Sequence, residues 1–371
     1  MLTRRGILTG GSAALALGGV GIVVEARRAA ARYERFARDL RVPLTAPATD
    51  RGLVRYATLA ANGHNTQPWL FQTSGRGIVI RPDFSRRTPV VDPDDHHLYV
   101  SLGCAVENLA IAAIATGRPG AVTVTRDGND TGASLTFLSD GMFADADTWK
   151  MFTAIPRRQS TRSAYDGRPV PPADLERLRK SATVDGVQVA MVTERGAIGR
   201  MRDLVIAGND AQMADRAFVA ELKQWIRFSP SAAIKRGDGL YAPASGNPAL
   251  PEWLGPYAFD LAFKPRSEAD KYVRQIDSSA GIAVFSAAPE NPTGWIAAGR
   301  ACQRFCLTAT ALGIRTAFVN QPVEVTSLRA DVASVAGLEG RRPDLVLRFG
   351  YAPALPYSPR RPVEAVIMRD A

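Results

Sequence analysis

Two stretches of the chain repeat one another, and this repeat constrains the fold more than any other feature of the sequence. Residues 103–117 read GCAVENLAIAAIATG, and residues 299–313 read GRACQRFCLTATALG. They share both bounding glycines and the alanine pairs 105/301, 113/309 and 115/311. Apolar residues recur at helical spacing in both stretches. Each is therefore predicted to be a buried helix that ends at its second glycine in the left-handed conformation.

Each predicted helix has a short strand-like run upstream, GIVI at 77–80 and GIAV at 281–284. This order predicts an α+β fold made of two related halves, residues 51–150 and 151–371. A chain of 371 residues also suits two domains at ~150 residues each. Two alanine-rich helices can match by chance, so the repeat alone leaves the relationship of the halves open.

Composition argues against several other classes of protein. Hydrophobic residues make up 46% and charged residues 22%, which is globular rather than disordered or coiled-coil composition. Three cysteines give no disulfide framework, and three histidines argue against a His-rich metal site. The net charge is +10, but the arginines are spread along the chain without a nucleic-acid motif. We therefore expect a basic surface and no nucleic-acid partner.

Residues 1–25 are predicted to be a targeting segment outside the fold. Arg4 and Arg5 precede an uncharged stretch over 6–24, which resembles a twin-arginine export signal. No clean small-x-small cleavage site follows, and ~19 residues are enough for a membrane anchor. We expect export to the periplasm or the outer face of the cytoplasmic membrane, or a cytoplasmic protein if the signal is not functional. A buried or frayed N-terminal helix is the alternative, and residues 26–50 are predicted to be a basic helical connector.

Polar residues that suit a nucleotide-like ligand cluster in three places. Residues 60–69 read AANGHNTQPW, whose amide side chains can pair with the edge of a heterocycle. Residues 155–166 read IPRRQSTRSAYD, whose guanidinium and hydroxyl groups suit a phosphate. A third basic pair is Arg360 and Arg361. Each segment alone could equally be a turn or a solvated basic loop.

Taken together, these motifs resemble the nitroreductase-like flavoproteins, which are typically homodimers that bind FMN at the subunit interface. The resemblance implies that Arg158, Ser160 and Arg162 hold the phosphate and ribityl chain, supported by Arg360 and Arg361. It also implies that Asn62, Gly63, Asn65 and Gln67 approach the isoalloxazine, and that Asn320 and Gln321 lie near its reactive nitrogen.

The motifs are divided between the halves, with Gln-Pro-Trp in the first and the arginine segment in the second. That distribution resembles the Acg-like branch, in which two nitroreductase-like halves are fused into an intramolecular pseudo-dimer. It implies one FMN site at the junction and a monomeric protein. Residues 229–265, rich in glycine, proline and aromatic residues, are predicted to be a packed, lid-like insertion over the flavin. We call them the cover segment.

The expected function is that of an FMN-dependent oxidoreductase that reduces a quinone, nitro compound or activated alkene, with NAD(P)H as a possible donor. The chemistry would take place on the flavin, so no catalytic side chain is predicted. The alternative is an FMN storage protein whose covered flavin turns over little. Residues 92–97 (DPDDHH) are predicted to cap a helix, with Asp92 as N-cap, rather than to bind a metal. Cys302 and Cys306 are expected in the core.

Overall fold

The computed structural model describes residues 24–127, 130–139 and 143–368. Most of the predicted export signal, residues 1–23, lies outside the described residues, so it stays a prediction. The first part of the chain contains helices α1 (24–39), α2 (Asp50–Ala57), α3 (His96–Ala115) and α4 (Ala146–Ala154), and strands β1 (Trp69–Ser74), β2 (Gly77–Pro82), β3 (Gly120–Asp127) and β4 (Asp130–Phe137).

The second part of the chain contains more helices and a second set of strands. Its helices are α5 (Pro172–Ser181), α6 (Arg195–Ala214), α7 (Arg216–Gln224), α8 (Pro230–Arg236), α9 (Gly255–Ala262), α10 (Pro265–Asp277), α11 (Pro292–Ala311), α12 (Gln321–Glu324) and α13 (Arg329–Ala336). Its strands are β5 (Val187–Val192), β6 (Ile226–Arg227), β7 (Leu240–Tyr241), β8 (Gly281–Ala287), β9 (Arg315–Phe318) and β10 (Leu345–Gly350).

Two four-stranded antiparallel sheets form the framework, in the orders β1-β2-β4-β3 and β5-β8-β10-β9. The predicted strand runs fall in β2 and β8, which are inner strands of the two sheets. Both runs are mostly buried, as their continuous apolar sequences require. The α+β expectation is confirmed.

The two repeated stretches form helices α3 and α11, as predicted. Both helices are followed by a left-handed glycine, Gly117 at φ +77° and Gly313 at φ +75°. The next residue returns a hydrogen bond to the last turn, from Arg118 to Ala113 and from Ile314 to Ala309, each 2.8 Å long. Two glycine-ended helix caps of the same design therefore close the two repeats.

Helices α3 and α11 pack against each other at the first glycine of each repeat. A Cβ on Gly103 would overlap the carbonyl oxygen of Ile296, and a Cβ on Gly299 would overlap that of Val100. These two contacts occupy equivalent positions of the repeat. The bonds from Arg304 to Glu107 (2.8 Å) and from Gln303 to Asn108 (2.7 Å) are equivalent in the same way. The interface is thus the same when viewed from either helix, as in a two-fold contact.

Helix α3 is also the one helix in the described ranges that is long and apolar enough to cross a membrane, with a mean hydropathy of 1.7. Its most apolar stretch is 89% buried within the protein. The length and composition of a helix alone do not distinguish a membrane span from a buried core helix, and α3 packs as a core helix in this structure.

The end of the chain returns to the first sheet. Residues 366–368 pair with Phe71 of β1, through Phe71 N–H to Val366 O and Met368 N–H to Phe71 O, both 2.8 Å. Residues 160–161 similarly pair with Thr316 of β9 in the second sheet. The C-terminal segment therefore ties the last residues of the second half to the first half.

Helix α1 (24–39) overlaps the predicted helical connector, residues 26–50. Its buried residues Tyr33 and Ala37 pack against Ala233, Tyr241 and Ala244 of the cover segment. That segment is less irregular than the sequence suggested, because it contains α8, β7 and α9.

Candidate active site

A cavity of about 570 Å³ is lined by residues of both halves. Its volume falls in the range of pockets that hold small ligands and cofactors. The first half contributes the loop before β1 and part of α3, while the second contributes parts of α6, α7, α10, α12 and the cover segment. Five of the predicted site residues line this cavity: Asn62, Gly63, Arg162, Asn320 and Gln321.

The cover segment supplies much of the apolar lining. Leu250, Phe259 and Phe263 face the cavity, together with Phe218 and Leu222 of α7. The cover segment therefore forms part of the cavity wall. Its aromatic and aliphatic side chains would pack against a flat apolar ligand.

The loop before β1 has an unusual backbone that sets which side chains line the cavity. His64, Asn65 and Gln67 have φ values of +46°, +54° and +55°, a region that residues other than glycine rarely adopt. The side-chain oxygen of Asn62 accepts the backbone N–H of Gln67 at 2.9 Å and so closes the loop. Asn62 and Gly63 are held at the cavity wall as a result.

Asn65 and Gln67, in contrast, are buried outside the lining. Asn65 Nδ2 donates to the carbonyls of Gly239 (2.9 Å) and Pro359 (3.0 Å), and Gln67 Nε2 donates to that of Gly237 (2.9 Å). The expected contact of Asn65 and Gln67 with the flavin ring stays a prediction. Because these amides bond to protein carbonyls, they fasten the cover segment and the C-terminal segment to the loop.

Arg360 and Arg361 are likewise engaged with the protein. Arg360 donates to the carbonyls of residues 58–60 and, at 2.8 Å, to Asn65 Oδ1. The backbone N–H of Arg361 donates to Gln67 Oε1 at 2.8 Å. The pair clamps the loop before β1, and its predicted support of a phosphate stays a prediction.

Arg158 differs from the other buried arginines because part of its guanidinium is unpaired. It is only 6% exposed, and its Nη2 donates to Leu59 O at 3.2 Å. Among the described residues, its Nε and Nη1 have no hydrogen-bond partner. A buried charge without partners is strongly unfavourable, so this group favours an anion with several acceptor oxygens. A phosphate has that chemistry.

Arg158 does not line the cavity, but its charge acts on three other buried guanidinium groups, one of which, Arg162, does line it. Burial lowers the pKa of Arg41 to about 10, and the charge of Arg158 lowers it further. Burial, Arg41 and Arg158 together hold the pKa of Arg360 well below its usual range. Burial also lowers the pKa of the cavity-lining Arg162, with Arg158 contributing. A bound dianion would relieve this mutual repulsion.

Of the remaining predicted residues Ser160 and Gln321, only Gln321 lines the cavity. Ser160 does not line the cavity; its backbone pairs with Thr316. Gln321 does line it and donates through Nε2 to Tyr272 Oη at 2.5 Å. In the part of the chain that the structure describes, Gln321 Oε1 has no donor. This buried acceptor suits an N–H of a ligand ring.

All three histidines of the chain come together beside the cavity. His97 lines it, and its Nδ1 lies 3.9 Å from both Asp92 Oδ1 and Glu324 Oε1. The rings of His96 and His97 are 4.6 Å apart. Burial, followed by the charges of Arg162 and His97, lowers the pKa of His64 to about 4. This polar group contrasts with the apolar lining from the cover segment.

The capping role predicted for residues 92–97 is realised in a different way. The N-cap of α3 is Asp95 rather than Asp92. The two carboxylate oxygens of Asp92 instead accept the N–H groups of His97 and Leu98, at 3.0 Å each. The carboxylate thus caps the first turn from one turn upstream, because the left-handed Asp95 brings the chain back towards it. Asp92 therefore has a structural role at the start of α3.

Replacing His64 with Asn is expected to reduce the loss of stability in acid. Because folding lowers the pKa of His64 from 6.5 to about 4, its contribution is present above pH 6.5 and is lost as the pH falls towards 4. Asn removes this titration and tolerates the positive φ. Urea unfolding at pH 7 and pH 5 should show the wild type losing up to about 2 kcal/mol more than the variant. Equal losses would contradict the shift.

Sequence reasoning missed Arg41, His97 and Glu324 as residues of this region. Arg41 lies in the predicted connector, and its placement depends on how α1 packs against the rest of the chain. His97 was predicted only as part of a helix cap. Glu324 follows Gln321 by three residues on α12. This helical spacing could have indicated that Glu324 lies on the same face as the predicted site residue Gln321.

The chain is similar to proteins of known families. The nitroreductase family model matches residues 155–351, more than half of the chain. Proteins of two Mycobacterium tuberculosis strains, provisionally named NAD(P)H nitroreductase, are 28% identical over 86% of this chain and 91% of their own length.

Solved structures with low similarity to this chain were also found. A nitroreductase with bound FMN from Desulfitobacterium hafniense is 16% identical, covering 60% of this chain and 98% of its own, at a TM-score of 0.40. An FMN-dependent nitroreductase from Mycobacterium smegmatis in complex with NADPH is also 16% identical, covering 60% and 94%, at a TM-score of 0.37.

Proposed function

The chain belongs to the nitroreductase family, and from that premise we propose that it is an FMN-dependent oxidoreductase. It takes electrons from a hydride donor such as NAD(P)H, the donor in the names of its Mycobacterium tuberculosis relatives. It passes them to a small organic acceptor: a quinone, a nitro compound or an activated alkene. FMN, when bound, supplies the two-electron chemistry of both steps.

The unpaired guanidinium of Arg158 carries this proposal. It is a buried cation whose Nε and Nη1 atoms have no hydrogen-bond partner among the described residues. The positive charges of Arg41, Arg162 and Arg360 are close enough to interact with it electrostatically. A free phosphate-sized anion would satisfy it, and a cofactor that joins a phosphate to a flat ring would also use the adjacent cavity. FMN has both parts.

The cavity residues then have separate tasks. Arg162 supplies positive charge beside the ring, which stabilises negative charge on a reduced flavin. Gln321 Oε1 accepts a ring N–H, and Asn62 and Gly63 form the wall on the side of the first half. The apolar cover segment excludes water from the acceptor.

We also propose that the two halves form an intramolecular pseudo-dimer of the Acg-like kind, so that the protein works as a monomer. The reciprocal packing of α3 and α11 supports this proposal, as does the return of the C-terminal segment to β1. Export through a twin-arginine-type signal, with the uncharged stretch 6–24 as an anchor, is part of the same proposal and rests on the sequence alone.

The test is the absorbance spectrum of the purified full-length protein, followed by addition of NADPH and then 1,4-benzoquinone. We expect flavin bands that bleach with NADPH and return with the quinone. A protein that stays colourless after incubation with excess FMN would contradict the proposed cofactor.

The cover segment supports a second candidate, an FMN storage protein. It lines the cavity with Leu250, Phe259 and Phe263, and such a cover could keep an acceptor away from the ring. Flavin bands that bleach with NADPH but return no faster with quinone than with buffer would favour storage. Rapid multiple turnover would exclude it.

A further inference from the structure

The polar group around His97 has no part in holding the cofactor proposed above. It consists of a cavity-lining imidazole between two carboxylates from different elements, Asp92 before α3 and Glu324 on α12. Three histidines in a chain of 371 residues all lie in this one place. An imidazole close to carboxylates at the wall of a cavity is suited to transfer a proton.

We propose that His97 is the general acid that protonates the acceptor as it is reduced, and that Glu324 is the positioning residue that holds its imidazolium form. The inference rests on the proposed function. The nitroreductase match begins at residue 155, so it does not include His97.

The two ring nitrogens have different surroundings. Nδ1 lies 3.9 Å from a carboxylate oxygen of Asp92 and of Glu324, which is longer than a hydrogen bond but places negative charge on that side of the ring. Nε2 lies 3.5 Å from Asn320 Nδ2, a long and weak contact, and Asn320 also lines the cavity. We therefore assign the contact with the acceptor to Nε2.

Glu324 is fixed for its role. Its Oε2 accepts from Gln212 Nε2 at 2.6 Å, which leaves Oε1 facing the His97 ring. Burial raises the pKa of Glu324, and the nearby His97 lowers it. The carboxylate and the imidazolium therefore favour each other's charged forms.

The neighbouring groups are less suited to donate. Burial keeps His64 neutral at physiological pH, with a pKa of about 4. His96 is buried and its Nε2 is bonded to Asp344 Oδ1 at 2.8 Å, and both oxygens of Asp92 accept backbone N–H groups. The titratable groups that surround His97 are Asp92, Glu324, His64, His96 and Asp344.

Reduction of a quinone to a hydroquinone requires one hydride equivalent, which is two electrons and one proton, and one further proton. The reduced cofactor would supply the hydride equivalent, and Nε2–H of His97 would supply the further proton. An O–H bond forms, the N–H bond breaks, and its electron pair stays on Nε2. The neutral ring keeps its Nδ1–H towards the carboxylates and is reprotonated from solvent.

The first experiment follows histidine titration by NMR in the FMN-free protein labelled at histidine. The chain has three imidazole signals, and His97→Gln assigns one of them. We expect Glu324→Gln to lower the titration midpoint of that signal, because a nearby negative charge is lost. The control variant Glu339→Gln, at an exposed position, should leave the titration midpoint of the His97 signal unchanged. A midpoint unaffected by Glu324→Gln would overturn the assignment of Glu324.

The second experiment measures the two half-reactions of the FMN-loaded full chain by stopped flow. Reoxidation by 1,4-benzoquinone should slow as the pH rises through the imidazolium pKa. His97→Gln should remove that pH dependence and slow the step about 10²-fold, and Glu324→Gln should move the fall in rate to lower pH. Reduction by NADPH should be the same in all variants, which controls for folding and cofactor loading.

The outcomes separate the two proposals. Normal reduction by NADPH with an unchanged quinone step in His97→Gln would overturn the acid role alone. A protein that never takes up FMN would overturn the proposed function and the acid role with it. One equivalent of a divalent metal in the purified protein, released on replacing His97, would assign the group to metal binding and overturn the acid role.

Discussion

Replacing Arg158 with Met is expected to abolish FMN binding and, at the same time, to stabilise the FMN-free protein. The two effects have one cause, because the unpaired Nε and Nη1 are unfavourable without a ligand and are donors to phosphate with one. Two charge-assisted hydrogen bonds at about 1.5–3 kcal/mol each correspond to about 10²–10⁴ in Kd. Met has a similar length and leaves no buried charge, so the midpoint of urea unfolding without FMN should rise.

Arg157→Met is the matched control. Arg157 is the preceding residue, carries the same charge and is exposed. It should change neither FMN affinity, measured by flavin fluorescence quenching, nor stability beyond about 0.5 kcal/mol. If Arg158→Met destabilised the FMN-free protein, the guanidinium would have partners that the structure does not show, and its assignment to phosphate would be wrong.

Alanine at Gly103 or Gly299 is expected to destabilise the protein by about 3 kcal/mol each. Alanine is the better helix former, but here its Cβ would overlap a backbone carbonyl of the opposite helix, which cannot rotate away. The two helices would have to separate and lose contact along their length. Because the two sites are equivalent positions of one contact, the two losses should be similar. Urea unfolding followed by far-UV circular dichroism measures them.

Gly199→Ala in α6 is the control with the opposite sign. A Cβ there meets nothing within 4 Å, so the variant should gain about 0.5–1 kcal/mol from helix propensity alone. If the Gly103→Ala variant had the same free energy of unfolding as the wild type, α3 and α11 would not approach each other as closely as described.

The parts of the fold that the sequence predicted are those fixed by local pattern. The periodic apolar residues of α3 and α11, and the glycines after them, determine helix position and end without help from the rest of the chain. The N-cap is Asp95 rather than the predicted Asp92, because the sequence DPDD at 92–95 does not indicate which aspartate adopts the left-handed conformation. The cover segment contains short helices that depend on its packing against α1 and the cavity.

The site was predictable by segment rather than by residue. The loop before β1 reaches the cavity, yet only Asn62 and Gly63 of its predicted site residues line it, while Asn65 and Gln67 do not. That division depends on the positive φ values of His64, Asn65 and Gln67, which no sequence pattern predicts. Arg41 and Glu324 were missed because they come near the site only through tertiary packing.

The hydrogen bonds between Arg360 and the carbonyls of residues 58–60 join positions about 300 residues apart, as does the pairing of residues 366–368 with Phe71. During synthesis the loop before β1 therefore leaves the ribosome well before the residues that clamp it. Until residues 360–368 have been made and have folded back, the loop lacks these hydrogen bonds and the cavity wall is incomplete. A chain that stops short of Arg360 should for this reason lose the wall, as it would through a change in the cavity itself.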